Sequence, residues 1–437
     1  MSAMHQQAMN RVYQQVLSRL LGSFSPARRV AVQPLIQRLM TAAGGAQRLD
    51  GYRVVYRLCG STAGHGGLAL LRAAQLTLAA RHQPTFFIRA AVSSQALLDD
   101  VRNGNIQRAC NALFVHDDPR IELLAFADDA LRPYEYRLAG GNSRQSSCRS
   151  ELLSAAHEFA SLSAANLQNQ GYRAIARVYQ RLVGYLAAAD AIVLDQPVLQ
   201  RRHFVAWAMR ERRRASASPV PREHWQGSGC LQGLGAGVVG MPRGQRGDLP
   251  ASARLLGMQD LLGEPSASDE ALWQFLGCQP VLPLFDRHEI QHPQLAWFAY
   301  LYGLRSQWLH GGSFEQGLEA FRKSFGRAGT NPTRAAPHLP RAQVEEAADQ
   351  MQTRLSTWYG MDPAQLSCAV YAPFSDRGAR LEAFLQAYHP GMQVALPHLH
   401  SGLRGSRVSA QVSQWLESVS GLSLPTLQGL YQRPRLP

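Results

Sequence analysis

Phosphoryl chemistry without a metal needs two things from side chains: a guanidinium that offsets charge on a pentavalent phosphate, and an imidazole that moves a proton near neutral pH. In this 437-residue sequence both occur at the end of one apolar stretch, as Arg305 and His310 in Leu301-Tyr302-Gly303-Leu304-Arg305-Ser306-Gln307-Trp308-Leu309-His310-Gly311-Gly312. Leu295, Phe298, Ala299, Leu301 and Tyr302 supply a helical apolar pattern, and the two glycines stop it directly after His310. Five steps of about 100° leave Arg305 and His310 roughly 140° apart around that helix. They are therefore placed to line two walls of a cleft between paired helices, as in a dimer, instead of stacking.

Residues 301–312 resemble the HEPN family of helical ribonucleases, whose motif is an arginine followed at short distance by a histidine. The likeness is strongest to the branch that reads tyrosine, a variable residue, leucine, arginine, serine and later histidine–glycine; many members carry asparagine where Ser306 stands. The resemblance implies a metal-independent endoribonuclease with no cofactor, its site built by two protomers. Arg305 would steady the scissile phosphate and His310 would transfer the proton for attack by a neighbouring ribose hydroxyl. Tyr302-Gly303-Leu304-Arg305-Ser306 is also similar to the first arginine box of tyrosine recombinases. The C-terminal tail holds His398, His400, Arg404, Arg407, Trp415 and Tyr431, although His400 and Arg404 are four apart where that family uses three.

The densest charge lies elsewhere. Arg201, Arg202, Arg210, Arg212, Arg213 and Arg214 cluster with His203, and Arg243 and Arg246 follow in a glycine-rich stretch. Guanidinium groups grouped in this way grip a phosphate backbone without reading its sequence. The whole chain carries a formal charge of +14 from 45 basic and 31 acidic residues, and Lys323 is its only lysine. An arginine-dominated excess suits RNA, DNA, an acidic protein or another anionic surface. Gly60-Ser61-Thr62-Ala63-Gly64-His65-Gly66-Gly67 stands between a strand pattern and a helix pattern, where free backbone amides meet anions. The formal GxGxxG at Gly235–Gly240 lacks a preceding strand and reads as loop. Six scattered cysteines without a CxxC pair, and His288 with His292 beside Pro293, offer no metal site; the acid pairs Asp117-Asp118 and Asp128-Asp129 read as surface.

These residues need elements to hold them. Tyr52–Cys59, Phe86–Val92 and Ile121–Phe126 read as strands, with a helix over Leu68–Ala80 between the first two. The fold class expected is mostly α with a small N-terminal α+β part and a helical C-terminal domain. The expected boundaries are 1–140 for the α+β domain, 141–214 for a helical extension, 215–267 for a Gly/Pro-rich linker or flap, and 268–437 for the helical domain, including a helix over Arg377–Tyr388. Neither a signal-peptide pattern nor an apolar run of membrane-spanning length occurs, which points to a cytoplasmic chain with no membrane partner. The leading expectation is a nucleic-acid-associated protein, as a HEPN-like endoribonuclease using Arg305 and His310. The alternatives are a non-catalytic RNA- or DNA-binding component of a larger assembly with other protein subunits, an effector or scaffold that holds an acidic protein, and a divergent tyrosine recombinase.

Overall fold

The computed structural model describes residues 3–58, 62–93, 100–127, 130–135, 142–159, 164–186, 188–195, 198–217, 253–262, 269–279, 293–326 and 341–432. The chain divides into two compact units, each made of separated segments: unit one is Met1–Ala139 with Tyr172–Val281, and unit two is Gly140–Gly171 with Leu282–Pro437. The fold is mostly helical with one small sheet, as the hydropathy pattern predicts.

Unit one is built on that sheet. Helices α1 (Ala3–Ser23) and α2 (Pro26–Ala43) precede β1 (Arg53–Leu58), and α3 (Thr62–Ala80), β2 (Phe87–Ser93), α4 (Asp100–Ala112), β3 (Ile121–Ala127) and β4 (Ala130–Pro133) follow. The strand order is β4-β3-β2-β1-β5-β6, where β5 is Ala191–Leu194 and β6 is Arg254–Gly257. All neighbours pair in parallel except β3 with β4. The chain thus winds outward from β1 in both directions. Helices cover both faces: Val54, Tyr56, Ile88 and Ala90 join a core with α1, α2, α3 and α4, while Val55, Ala91 and Ile192 pack with Ile175, Tyr179 and Leu182 of α6 (Ala164–Gly184) and with Phe204 and Trp207 of α7 (Val198–Ala217).

Two strands fall where the sequence pattern points elsewhere. β5 interrupts residues 141–214, which read as a helical extension, and β6 lies inside 215–267, which read as a linker or flap. Both are four residues long, and β5 is buried at every position. A short parallel strand buried on both faces has no polar alternation to betray it.

Polar side chains tie unit one together inside its core. Arg72 on α3 is fully buried; its guanidinium donates to Asp118 Oδ2 and Gln75 Oε1 at 2.6 Å, to Leu113 O at 3.1 Å and to Phe114 O at 3.2 Å, and it lies over the Tyr13 ring. Asp118 is therefore an interior residue, contrary to its surface reading, because an acid fully matched by an arginine fork can be buried. Arg28 makes a bidentate pair with Asp269, at 2.9 and 2.8 Å.

In unit two, α10 (Pro293–His310) is apolar almost all round and forms the centre, where Trp297, Phe298, Leu301 and Leu304 are buried against α5 (Asn142–Phe159), α11 (Phe314–Gly326), α12 (Arg341–Thr357) and α13 (Pro363–Tyr371). The Trp297 indole donates to Leu152 O of α5 at 3.1 Å. Gly303 and Gly317 let α10 and α11 cross closely: a side chain at Gly317 would meet the Tyr302 carbonyl, and one at Gly303 the Phe314 ring. Between them Gly311 takes a left-handed φ of 64°, and Ser313 with Gln316 form a reciprocal N-terminal cap. The remaining helices are α14 (Leu381–Tyr388), α15 (Leu396–Leu403), α16 (Ala410–Ser420) and α17 (Leu424–Gln432).

The helix expected over Arg377–Tyr388 begins later. Asp376, Arg377 and Gly378 have φ of 51°, 54° and 78°, a left-handed turn that precedes α14, and Ala372 adds a φ of 47° just before it. The left-handed region costs a non-glycine residue about 1–2 kcal/mol.

Gly67, in the first turns of α3, fits only as glycine: a methyl group there would strike the Tyr56 hydroxyl and lie 2.7 Å from Met258 Cε. Gly67→Ala is expected to lower stability by about 1–3 kcal/mol through overpacking, seen as a lower urea midpoint with an unchanged slope.

Candidate functional site

Arg305 and His310 both lie in the second half of α10, but the structure sends them to different places. Arg305 is buried, and its guanidinium donates to Val370 O at 2.9 Å, Ala369 O at 3.1 Å and Ala156 O at 3.1 Å. These carbonyls belong to the last turns of α13 and α5, which lack intrahelical partners and carry the negative end of each helix dipole. Burial pushes the Arg305 pKa down to about 9, with Arg380 acting in the same direction, so it stays charged at neutral pH. His310 is exposed at the end of α10. The two residues that the HEPN resemblance joins are therefore an interior clamp and a surface imidazole.

Next to the clamp is a buried pair absent from the sequence-based candidates. His157 on α5 bonds Leu153 O through Nδ1 at 2.9 Å, which places the proton there, and its Nε2 faces Cys368 Sγ at 3.8 Å. The ring stacks on Phe374. Burial pushes His157 down to about 4, with Arg305 reinforcing the shift and the Leu153 bond opposing it, and burial raises the Cys368 thiol. A neutral imidazole accepting from a protonated thiol is a packed, satisfied pair.

The arginine cluster divides. Arg201 is half-buried and pairs with Asp260 at 3.0 Å; the same carboxylate takes Arg38 at 3.0 Å, and these bonds hold its pKa down to about 2 against the opposing effect of desolvation. Arg202 and Arg210 are exposed on α7, with no ion-pair partner among the described residues. Arg212, Arg213 and Arg214 lie on the same helix, but their side chains, like Arg243, Arg246 and Gly235–Gly240, fall outside what the structure describes.

The glycine-rich stretch is mostly helix: Thr62–Gly67 form the first turns of α3, which starts six residues before the expected Leu68, while β1 ends at Leu58 and residues 59–61 lie outside the described set. Strand order reverses between β1 and β5, where open α/β sheets form ligand crevices. Tyr56 Oη there lies 2.9 Å from Gly64 O and 3.1 Å from Asp195 Oδ2, just beyond β5. One phenolic proton cannot serve both acceptors. Burial raises the Asp195 carboxyl, against the opposing effects of Arg57 and of the Tyr56 hydrogen bond. His65 is buried with Nε2 unpartnered and Nδ1 3.8 Å from Cys278 Sγ; burial, then Arg108, pushes it down to about 4.

In the tail, His400 Nδ1 and Tyr431 Oη lie 2.8 Å apart, His398 is exposed, and Lys323 pairs with Glu319 at 3.5 Å on α11. Among the described residues no group of three or more His, Cys, Asp or Glu is placed to hold a metal, and no helix is long and apolar enough to cross a membrane. The chain matches no known protein family, no curated protein and no solved structure.

Arg305→Ala is expected to destabilise unit two by about 3 kcal/mol or more, since three buried carbonyls lose their donor, whereas His310→Ala changes stability by less than about 0.5 kcal/mol; urea titrations of both variants check this. The buried histidines give a pH dependence of definite sign. Between about 4 and 6.5 the unfolded chain protonates His65 and His157 while the native protein does not. Their contribution, roughly 3 kcal/mol each, is complete above pH 6.5 and is lost as pH falls towards 4. A His157→Gln variant should flatten that part of the stability–pH curve.

Proposed function

We propose that the protein associates with nucleic acid through exposed arginines and does not cleave it through Arg305. One observation supports the reading: Arg202 and Arg210 stand exposed, with no acid partner among the described residues, on a helix that continues into Arg212, Arg213 and Arg214. Eight residues of helix place Arg202 and Arg210 about 12 Å apart along the axis and about 80° apart around it, so one strand of phosphates can be followed by both. Contacts of this kind are independent of base sequence and weaken steeply with salt. An acidic protein would be held by the same charges, but its binding would not follow the linear relation between log affinity and log salt that counterion release gives. Catalysis at Arg305 asks a guanidinium with three buried carbonyls to leave them for a phosphate, and the binding reading asks for no such rearrangement.

The full chain is expected to bind labelled single-stranded RNA and duplex DNA with a log–log salt slope that becomes shallower by about 0.7–0.9 for each of Arg202→Gln and Arg210→Gln. Slopes that do not move in either variant overturn the assignment. RNA cleavage in the presence of a chelator, lost in His310→Ala, would restore the catalytic reading in its place.

A further inference from the structure

Unit two holds a turn between α13 and α14 that is costly to form. Within seven residues, Ala372, Asp376, Arg377 and Gly378 all take left-handed φ, three of them without being glycine. Ala372 is the left-handed C-cap of α13, its N–H donating to Cys368 O; the left-handed Asp376 and Arg377 lie beyond that cap, and strain held in place by its surroundings is a pointer to function. The turn presses the Gly378 backbone onto two side chains: a methyl there would come within 2.8 Å of His400 Cε1 and 3.0 Å of Tyr431 Cε2. Arg377, the residue before Gly378, is exposed. Arg404, four residues after His400 and likewise exposed, is near enough for its charge to act on the imidazole together with the larger effect of burial. Neither guanidinium has an ion-pair partner among the described residues. Asp376 is the one acid on the turn, and α15 carries none.

Tyr431 is the hydrogen-bond partner of the imidazole. Its hydroxyl lies 2.8 Å from His400 Nδ1 and is buried. A phenol donating to Nδ1 leaves the ring proton on Nε2, and Nε2 has no protein partner among the described residues. His400 is only half-buried. Two guanidiniums and one N–H donor around a rigid turn are the complement of a doubly charged group with several acceptor oxygens. We infer that Arg377, His400 and Arg404 form a phosphate-binding site in unit two, with Tyr431 as the positioning residue that fixes the His400 tautomer. The phosphate belongs either to a nucleic-acid backbone or to a free phosphoanion. The site is independent of Arg202 and Arg210, so it can stand if polynucleotide binding fails.

The test is calorimetry on the full chain with inorganic pyrophosphate and, separately, a twelve-nucleotide RNA, combined with imidazole nitrogen NMR of His400. Saturable binding of either probe, weakened at least tenfold by Arg377→Gln and by Arg404→Gln, is the expected result, with a shift of the His400 Nε2 resonance on binding. Pyrophosphate alone identifies a free phosphoanion; RNA alone identifies a backbone phosphate. Tyr431→Phe keeps the ring packing and is expected to redistribute the His400 tautomers in the unliganded protein, which neither arginine variant does. Absence of saturable binding for both probes, or affinities unmoved by both arginine variants, overturns the site. An unaltered His400 tautomer in Tyr431→Phe overturns the role given to the tyrosine.

Discussion

The last turn of an α-helix leaves carbonyl oxygens without amide partners, and both units meet that need with arginine. Arg29 reaches Gly22 O and Phe24 O at the end of α1, Arg72 takes Leu113 O and Phe114 O just beyond α4, and Arg89 takes Leu182 O near the end of α6. Arg305 serves α5 and α13 together. A planar fork with five donors can bridge carbonyls from two segments, whereas an ammonium is a single point with a larger demand for water. The near-total preference for arginine over lysine suits this interior work. The helix dipole contributes counter-charge in such contacts, and Arg72 and Arg89 add a carboxylate each, from Asp118 and Glu122. Part of the formal +14 is accordingly an internal matter.

That division changes where a polyanion is to be sought. Each ion pair, such as Arg28 with Asp269 or Arg201 with Asp260, removes one charge of each sign and leaves the excess untouched. Arg305, whose guanidinium meets three carbonyls, is withdrawn from the surface. What is left for a partner is the set of exposed guanidiniums, among them Arg202, Arg210, Arg377 and Arg404.

Much of the architecture was legible from residue types. β1, β2 and β3 announce themselves through valine, isoleucine and aromatic residues, Gly44 closes α2, and Gly311 closes α10. β5 and β6 were hidden because four apolar residues inside a parallel sheet look like part of a helix or a loop. The role of Arg305 was hidden for a different reason: a phosphate oxygen and an orphan carbonyl are both acceptors, and local sequence near the arginine does not say which it meets. Its partners are 64, 65 and 149 residues away along the chain. Gly378 was a usable hint that helix does not begin at Arg377, but the left-handed φ of Asp376 and Arg377 is imposed by packing on α15 and α17 that no local pattern encodes.

The discontinuous units also set a timetable for synthesis. β1 gains its neighbour β5 only after the segment Gly140–Gly171, which belongs to the other unit, has been made. Until Ala191–Leu194 emerges, one edge of β1 stays open, with Val54 and Tyr56 flanking unpaired backbone that invites strands from other chains. α5 waits longer still, since the Ala156 carbonyl meets Arg305 149 residues later. At about 5–20 residues per second that interval is roughly 7–30 s, long compared with helix formation or collapse. The nascent chain thus spends many seconds with a sticky edge and an uncapped helix, and factors that shield emerging polypeptides would govern how much of this protein reaches its native form.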